Sequence, residues 1–447
     1  MNNFELNNLT YFCIMTKDRI LENLKIRELN EMQLASIQAA AANDLTLLAP
    51  TGSGKTLAFL FPLLSRLKKD SNGVQALILT PSRELALQIE QVWKQMGTSY
   101  KVLCCYGGHS TKTEKNSFIE APTLLIGTPG RIAYHIRNES FDTSKVKSLV
   151  LDEFDKSLEF GFHDEMSFII ENLNSLSKRI LTSATKLDEI PGFVQLAENT
   201  IELNFLKADK HIPKIHIKAV STTAENKVET LLSLICYIGN KPTLVFCNHR
   251  DAVNRISEAL EDYGIRHGIF HGGMEQTDRE KALLQFRNGS YHLLICTDLA
   301  SRGLDIPEIA YIIHFQLGNE ETFIHRNGRT ARMQAEGTAF LILNDGQFPE
   351  YIKAIPFTSL PEKNNIPPAT EWITLYIAAG KKDKINKIDI VGMFLQKGKL
   401  SKDDLGRIEV HDKSAYAAVK RNKVNQLLKL LANEKIKNKK VKIGIVE

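Results

Sequence analysis

The residues from Ala49 to Thr56 form a glycine loop between the apolar runs at 45–48 and 57–61. Gly52 and Gly54 let the backbone turn its N–H groups toward an anion, and the start of a following helix adds partial positive charge. In such a loop Lys55 reaches the β- and γ-phosphates of a nucleotide, and the Thr56 hydroxyl ligates magnesium. The candidate nucleotide ligands are Ala49, Pro50, Thr51, Gly52, Ser53, Gly54, Lys55 and Thr56.

The alternative interpretation is a glycine turn before an ordinary helix, and Ala49 stands where the strict pattern has its first glycine. Acidic residues further along the chain favour the nucleotide interpretation. Residues 150–155 are an apolar strand that ends in carboxylates, of which Asp152 suits magnesium held through water and Glu153 suits a general base. Acidic strand ends are common on protein surfaces, so it is the combination with the glycine loop that predicts nucleoside triphosphate hydrolysis.

The length and composition of the chain limit the class of protein to which it can belong. At 447 residues, with 43% apolar and 24% charged residues, the sequence predicts a globular protein of about three domains. It has no run of about 18 uncharged apolar residues and no basic stretch followed by an apolar one at its start, so we expect a cytoplasmic protein without a membrane span or signal peptide. Its six cysteines lack metal-ligand spacing, and we expect them to be reduced and buried.

Basic charge is concentrated at the C-terminal end. Residues 362–447 contain 19 Lys and Arg against 10 Asp and Glu, whereas the whole chain has a net charge of +5. Solvated lysines are the simplest explanation of such a bias. A basic module that follows a nucleotide-hydrolysing domain nevertheless favours an anionic polymer as its partner.

Short apolar runs alternate with longer amphipathic stretches in two successive sets. The first set lies at 45–48, 76–79, 123–126, 148–151 and 180–182, and the second at 243–246, 292–296, 311–315 and 338–343. This alternation predicts two α/β domains with parallel sheets, at 1–206 and 207–362. A polar, proline-rich linker around 360–368 separates them from a third domain at 368–447.

An ordered series of short motifs resembles that of the DEAD-box ATP-dependent RNA helicases over about residues 20–345. Besides the glycine loop and Asp152-Glu-Phe-Asp155, the first domain contains Pro81-Ser-Arg-Glu-Leu-Ala86, Gly107-Gly108, Thr128-Pro-Gly-Arg131 and Ser183-Ala-Thr185. The second contains Phe246, Gln276 with Arg279, Thr297-Asp-Leu-Ala-Ser-Arg-Gly-Leu-Asp305 and His325-Arg-Asn-Gly-Arg-Thr-Ala-Arg332. The resemblance implies two tandem RecA-like parallel-sheet domains, with ATP and Mg²⁺ as cofactors.

The resemblance also assigns roles to individual residues. Arg329 and Arg332, expected on one face of a helix, suit arginine fingers that neutralise the transferring γ-phosphoryl group. They lie in the domain without the glycine loop, so we expect ATP to bind between the domains and hydrolysis to need both. Asp305 would contact the ribose, while Ser183 and Thr185 would couple hydrolysis, through Asp155, to RNA. The implied RNA contacts are Arg83, Gly107, Gly108, Thr128, Arg131, Gln276, Arg279 and Thr297.

Two departures from the family pattern stand out. The adenine-recognising segment retains Gln33, but the aromatic residue that would stack on adenine is not fixed among Phe4, Tyr11 and Phe12. The third residue of the name-giving motif is Phe154 rather than alanine. We expect this larger side chain at the domain interface, where it could alter closure; the sequence does not fix its effect.

Residues 372–447 show the order strand, helix, strand, strand, helix, strand, which predicts a small α+β (βαββαβ) domain like an RNA-recognition motif. With Ile373, Leu375 and Ile377 facing the core, Tyr376 points outward, and Tyr416, Ala418 and Lys420 share that outer face. At most two bases would stack there, on Tyr376 and Tyr416. The alternative is a domain of this fold that makes only protein contacts.

This region also resembles the RNA-binding domain of the DbpA subfamily. The residues that carry the resemblance are 373–384, Asp389-Ile-Val-Gly392 and Leu405-Gly-Arg-Ile408, although Lys387-Ile388 replaces the usual Pro-Gly. The resemblance implies binding to a hairpin of large-subunit ribosomal RNA during large-subunit assembly, with Lys381, Lys382 and Lys384 as phosphate contacts. We expect a monomeric, RNA-stimulated ATPase; the alternatives are a general RNA helicase and an ATP-gated RNA clamp.

Overall fold

The computed structural model describes residues 17–69, 71–108, 111–187, 189–206, 215–301, 309–330, 336–344, 347–361, 365–437 and 439–446. These residues divide into two compact units, one up to residue 206 and one from residue 215 onward. None of the helices among the described residues is long and apolar enough to cross a membrane.

The first unit is an α/β domain around a seven-stranded sheet with the order β3-β4-β2-β5-β6-β1-β7, in which each recorded pairing is parallel. Its strands are β1 (Leu45–Leu48), β2 (Ala76–Leu79), β3 (Val102–Cys105), β4 (Leu124–Gly127), β5 (Ser148–Leu151), β6 (Lys178–Ser183) and β7 (Ile201–Asn204). Its helices are α1 (17–24), α2 (Glu31–Ala42), α3 (Lys55–Arg66), α4 (Arg83–Gln95), α5 (Thr111–Ser117), α6 (Pro129–Arg137), α7 (Phe154–Glu159) and α8 (His163–Glu171).

Successive residues of the central strands pack into two separate cores, one on each face of the sheet. Ile78 and Val150 pack with Trp93 on one face of the sheet. Leu77 and Leu149 pack on the other face. Both faces are covered by helices, so the strands are apolar at nearly every position, as parallel strands buried on both sides must be. The predicted strands at 45–48, 76–79 and 148–151 are confirmed with the same limits.

The second unit begins with a six-stranded sheet in the order β10-β11-β9-β12-β13-β8. Its strands are β8 (Ile215–Thr222), β9 (Thr243–Phe246), β10 (Gly268–Phe270), β11 (Leu293–Cys296), β12 (Tyr311–His314) and β13 (Gly337–Asn344). Its helices are α9 (Lys227–Ile238), α10 (Arg250–Asp262), α11 (Gln276–Arg287) and α12 (Glu320–Asn327). This second RecA-like domain has the parallel pairing that the sequence predicts.

The C-terminal module has a four-stranded antiparallel sheet, β15-β16-β14-β19, and a short separate hairpin. Its strands are β14 (Trp372–Ile377), β15 (Leu405–Val410), β16 (Ala415–Lys420), β17 (Lys435–Ile436), β18 (Lys439–Lys440) and β19 (Ile443–Ile445), and its helices are α13 (Lys387–Gly392) and α14 (Arg421–Leu431). The predicted βαββαβ order is confirmed. The hairpin of β17 and β18 precedes the short final strand β19.

The outer face of this sheet packs against the second α/β domain. Thr374 is 1% exposed. Its hydroxyl lies 3.1 Å from Asn288 Nδ2 and 2.7 Å from Ser290 Oγ, both in the turn that follows α11. Thr370 Oγ1 donates to the Ser290 carbonyl at 2.7 Å, and Asn240 Nδ2 donates to the Pro368 carbonyl at 2.6 Å. The linker is therefore held on the second α/β domain by hydrogen bonds, although its composition is typical of a flexible linker.

Candidate ATP and RNA sites

The candidate residues of the first domain follow the carboxyl ends of its parallel strands. Along one half of the sheet edge, the glycine loop follows β1, Ser183–Thr185 closes β6 and Asp152 follows β5. Along the other half, Arg83 follows β2, Thr128 follows β4 and Gly107 follows β3. Ligands of open α/β sheets bind at this edge. The strand order thus separates a half that contains the candidate nucleotide ligands, here called the nucleotide half, from a half that contains the candidate RNA contacts, here called the RNA half. The acidic segment lies at their boundary.

The glycine loop has the backbone geometry that its sequence predicts. Gly52 and Gly54 have φ of 82° and 90°, and Gly54 lies directly before α3. A Cβ atom on Gly54 would lie 2.6 Å from Gln33 Nε2, so both its φ angle and its neighbour require glycine. Lys55 is 8% exposed, and its Nζ donates to the Ala49 carbonyl at 2.5 Å. The ammonium therefore lies inside the loop, where phosphate oxygens would replace its carbonyl partner.

Gln33 links α2 to this loop. Its Nε2 donates to the Gly54 carbonyl at 3.1 Å, and its Oε1 accepts from Asn30 N at 3.0 Å. Asn30 caps α2 and also donates from Nδ2 to the Ser53 carbonyl at 3.0 Å. The sequence did not single out Asn30, although an Asn three residues before a Gln is the signal of a capping box. The candidate adenine-stacking residues Phe4, Tyr11 and Phe12 lie outside the described residues.

Asp152 is a buried carboxylate beside a charged neighbour. The Thr182 hydroxyl donates to Asp152 Oδ1 at 2.6 Å. Burial raises the pKa of Asp152, while the Thr182 hydrogen bond and the charge of Lys55 act to lower it. A cation bound here would offset the burial of the carboxylate, so the site fits magnesium held by Asp152 through water and by the Thr56 hydroxyl at the start of α3.

Glu153 occupies a backbone conformation that side chains rarely adopt. Its φ and ψ are 46° and 53°, in the left-handed region, which costs a residue other than glycine about 1–3 kcal/mol. Its amide donates to Thr182 Oγ1 at 3.2 Å, so one hydroxyl holds both acidic residues. Thr182 was not among the predicted site residues, because a threonine inside an apolar strand gives no signal of its own.

Asp155 and Thr185 form the predicted link between two motifs. The Thr185 hydroxyl donates to Asp155 Oδ2 at 2.9 Å. The Ser183 hydroxyl donates to the Thr185 carbonyl at 2.5 Å and accepts from the Thr185 amide at 3.1 Å. Ser183 thereby closes the turn that presents Thr185 to Asp155.

Phe154 does not lie on the surface of its domain, so the expectation that it stands at the domain interface is wrong. Its side chain is 0% exposed and packs in the core with Met166, Ile169 and Val194. The residue is the first of α7, and α7 turns this position toward α8 rather than outward.

Arg83 and Gly108 lie against one another on the RNA half of the edge. Gly108 has φ of 90°, and a Cβ atom there would lie 2.4 Å from Arg83 Nη1. The guanidinium therefore occupies space that only glycine leaves open. Gly107 and Gly108 are exposed, and their backbone amides are suited to phosphate oxygens.

Arg131 is held by a buried acid that the sequence reasoning missed. Its Nε donates to Glu114 Oε2 at 2.6 Å, and His135 Nε2 lies 2.8 Å from the same oxygen. Burial acts to raise the pKa of Glu114, but the hydrogen bonds from His135 and Arg131 outweigh it and the pKa is lowered. The ligand atoms of Cys105, Glu114 and His135 lie within 4.8 Å of one another. The Arg131 guanidinium already supplies the positive charge that a metal ion would bring there.

In the second domain, Gln276 and Arg279 lie on the first turn of α11, and Thr297 follows β11. Gln276 Nε2 donates to Glu280 Oε1 at 2.8 Å, and Arg279 is 5% exposed. Arg326, which the sequence did not select, makes a bidentate contact with Asp298 at 2.6 and 3.1 Å and donates to the Gln316 carbonyl at 2.5 Å. Arg326 is 0% exposed and holds the 297–298 segment in place.

Arg329 is not on a helix, so the prediction of two arginines on one helix face is wrong. Helix α12 ends at Asn327, and Arg329 N donates to the Arg326 carbonyl at 3.1 Å in the turn that follows. Gly328 interrupts the helical pattern, which is the usual effect of glycine near a helix end. Arg332 and Asp305 lie outside the described residues.

The two tyrosines of the C-terminal sheet form a half-buried pair. The ring centroids of Tyr376 and Tyr416 are 5.6 Å apart with the planes at 62°, and His411 packs edge-on against Tyr416 at 5.3 Å. Neighbouring Ala418 is 2% exposed. The outer face that would form a stacking platform is therefore partly taken up by the second helicase domain, with the tyrosine pair at its border.

The lysines of the module gather on adjacent segments. Lys381, Lys382 and Lys384 are exposed, and Lys384 has φ of 59°. The hairpin of β17 and β18 lies beside them, because Lys437 Nζ donates to the Lys384 carbonyl at 2.7 Å. Lys439 pairs with Asp383. The structure thus adds lysines of the hairpin to a surface that the sequence assigned to the 381–384 loop alone.

Three family models match the chain in order. They describe a DEAD/DEAH box helicase over residues 30–190, a helicase conserved C-terminal domain over 226–334 and a DbpA RNA binding domain over 374–445. The chain therefore belongs to the DEAD-box ATP-dependent RNA helicases, and within them to the group that carries the DbpA RNA-binding domain.

Individual relatives agree with this assignment. The chain is 30% identical to the ATP-dependent RNA helicase DbpA of Bacillus subtilis, over 95% of this chain and 96% of that protein. It is 31% identical to the ATP-dependent RNA helicase DbpA of Escherichia coli, over 94% of this chain and 96% of that protein. Among solved structures, S. cerevisiae Dbp5 bound to RNA and ADP BeF3 superimposes with a TM-score of 0.66 and 25% identity, over 73% of this chain and 87% of that one.

Proposed function

We propose that this RNA helicase locally separates short RNA duplexes and is directed to large-subunit ribosomal RNA by its C-terminal module. The observation that carries the proposal is the placement of the candidate residues along one sheet edge, with the nucleotide half and the RNA half joined through the acidic segment. The ribosomal target is supported by the match of residues 374–445 to the DbpA RNA-binding domain and by the lysines exposed there.

In the proposed mechanism, the amides of the glycine loop and Lys55 hold the phosphates of ATP. Glu153 orients and deprotonates the attacking water, and its strained backbone fixes the direction of its carboxylate. Arg329 and Arg332 neutralise charge that develops on the γ-phosphoryl group. Thr56, and Asp152 through water, would hold magnesium, which would supply further neutralisation of phosphate charge.

RNA binding is proposed to be indifferent to base sequence in the helicase domains. Arg83, Thr128 and Arg131 in the first domain, and Gln276, Arg279 and Thr297 in the second, are suited to phosphate and sugar oxygens. RNA bound at these positions would affect the ATP site through the hydrogen bond between Thr185 and Asp155. Asp155 lies two residues from Glu153, so a shift of Asp155 would also move the proposed general base. Binding at the C-terminal module would then supply the preference for one RNA.

The test is ATPase stimulation of the full chain by a large-subunit ribosomal RNA fragment and by an unrelated RNA of equal length. We expect half-maximal stimulation at a lower concentration of the ribosomal fragment, with the same maximal rate. Equal concentrations for both RNAs would support a general helicase instead. Stimulation without strand separation of a short duplex would support an ATP-gated clamp.

A further inference from the structure

Phe154 lies in the catalytic segment but contacts the core. Its ring, 0% exposed, packs 6.4 Å from the ring of Phe193 with the planes tilted by 57°. Phe193 lies in the 3-10 turn Gly192–Val194, on the chain that leaves β6 after Ser183–Thr185. Two consecutive residues of α7 are therefore tied to the same downstream stretch, Phe154 by an apolar contact and Asp155 by its hydrogen bond to Thr185.

The partner ring is itself held in place. His163, at the start of α8, packs edge-on against Phe193 with centroids 4.6 Å apart and planes at 72°. Val194 is 0% exposed and lies in the same core cluster as Phe154. The contact between Phe154 and Phe193 thus joins α7 to a turn that packs against α8 and the core.

The residue before Phe154 is Glu153, with its left-handed backbone. A strained conformation persists only where its surroundings impose it. On one side the strained residue is held by the hydrogen bond from its amide to Thr182. On the other side, the ring of the next residue, Phe154, is buried in the core of the domain.

We infer that Phe154 is a positioning residue, which acts through its contact with Phe193 to fix the carboxylate of Glu153 toward the attacking water. The inference rests on the proposed role of Glu153 as the general base. It assigns a function to the phenylalanine that departs from the family motif. Phe193 becomes the second member of an apolar link, parallel to the polar link between Asp155 and Thr185.

The test uses leucine variants of the full chain, because Phe154→Ala would leave a large destabilising cavity in the core. For Phe154→Leu and Phe193→Leu we expect kcat of RNA-stimulated hydrolysis to fall by about ten- to a hundred-fold, the loss typical of a small misplacement of a catalytic group. The KM for ATP should not change. The double variant should lose no more than the worse single variant, because both changes break one link.

The matched control is Phe340→Leu, since Phe340 is equally buried in the core of the second helicase domain. We expect it to lower the melting temperature and leave kcat unchanged. If Phe154→Leu likewise lowered only the melting temperature, or if the two losses of kcat were additive, the inference would be overturned. Near-normal turnover of Glu153→Gln would instead refute the proposed function, so the two failures are distinguishable.

Discussion

The helicase domains and the C-terminal module place their candidate residues on different parts of a β-sheet. In the first helicase domain these residues follow the carboxyl ends of six parallel strands, and both faces of the sheet are filled by core side chains. In the module, one face of the antiparallel sheet is core and the other is partly covered by the turn at Asn288–Ser290. Its exposed lysines lie on loops and on a hairpin.

This difference shows how far each kind of site depends on its surroundings. A site at a strand end depends mainly on local chain geometry. The chain must leave the sheet after each strand, so the loop that carries the site residues is exposed at the sheet edge whatever packs against the faces of the sheet. A site on a sheet face exists only if no other element covers it. The same fold that presents a stacking surface in RNA-recognition motifs is used here in part for contact within the chain.

The largest effect is expected at the arginine beyond α12. Arg329→Ala should lower kcat by about 10³-fold or more in steady-state ATPase assays, because an arginine finger acts mainly in the transition state. Because Arg329 is itself 3% exposed, its removal should also lower the melting temperature. For the comparison variant Arg326→Ala, which removes a buried partner of Asp298, we expect a loss of stability with a smaller loss of kcat. Normal turnover of Arg329→Ala would remove this residue from the ATP site.

The next effect concerns the strand-end acids. Glu153→Gln should lower kcat by about 10²–10⁴-fold, the usual contribution of a general base, and retain binding of ATP and RNA. Lys55→Ala should weaken nucleotide binding as well, because it removes a charge that faces the phosphates. Titration with a fluorescent ATP analogue separates the two variants. Equal affinity for both would contradict the placement of Lys55 at the phosphates.

Charge reversal on the module tests whether its RNA surface lies on loops or on the sheet face. Lys381→Glu and Lys384→Glu should weaken binding of the ribosomal fragment and reduce the slope of log affinity against log salt by about 0.7–0.9 for each lost phosphate contact. Lys429→Glu, an exposed reversal on α14, is the control with the same change of net charge.

For the tyrosine pair, Tyr416→Ala should cost about 1 kcal/mol of RNA affinity, the lower end of the range for base stacking, because its ring is half-buried. Fluorescence anisotropy of labelled RNA measures both sets of variants. A larger loss for Tyr416→Ala than for the lysine reversals would place the RNA on the sheet face. These substitutions are preferable to deletion of residues 368–447, which would also uncover Asn288 and Ser290.

The last prediction concerns stability rather than activity, and it is a pH dependence that arises in the core of the second helicase domain. Burial lowers the pKa of His314 from its ordinary 6.5 to about 3, against a hydrogen bond to Asn327 that acts to raise it. Below about pH 6.5 the unfolded chain binds a proton that the folded chain does not, so the free energy of unfolding falls as pH decreases. The slope approaches about 1.4 kcal/mol per pH unit.

Urea denaturation at pH 7.5 and 5.5 checks this expectation. His314→Gln should show a smaller loss of stability between the two values, since glutamine does not titrate. An equal loss in both chains would mean that the acid sensitivity arises elsewhere.

Several parts of the molecule were predictable from sequence. The glycine loop, the acidic strand end and three strands of the first sheet follow from local pattern alone, because the spacing of apolar residues and the φ angles open to glycine are local properties. The strands at β3, β7, β8 and β10 escaped prediction. They are short, half-exposed or at sheet edges, so their sequences lack the continuous apolar run of a central strand.

The partners of the site residues were less accessible. Glu114 and Thr182 contact Arg131 and Asp152 across 17 and 30 positions of the chain. No local sequence pattern predicts such a contact, because the contact depends on which strands are neighbours in the sheet. For the same reason the position of Phe154 was misjudged, since its burial is set by α8 and by the turn at 192–194.

The sequence by itself determined the family, the order of the domains and the residue types at the phosphate loop, since these depend on composition and on short-range backbone chemistry. Only the tertiary structure decided which hydroxyls and carboxylates meet, how Glu153 is held, and which face of the C-terminal sheet remains open. The physical reason is that hydrogen bonds and burial between distant segments are properties of packing. The docking of Thr374 under Asn288 is one such property, because neither residue has an unusual sequence context.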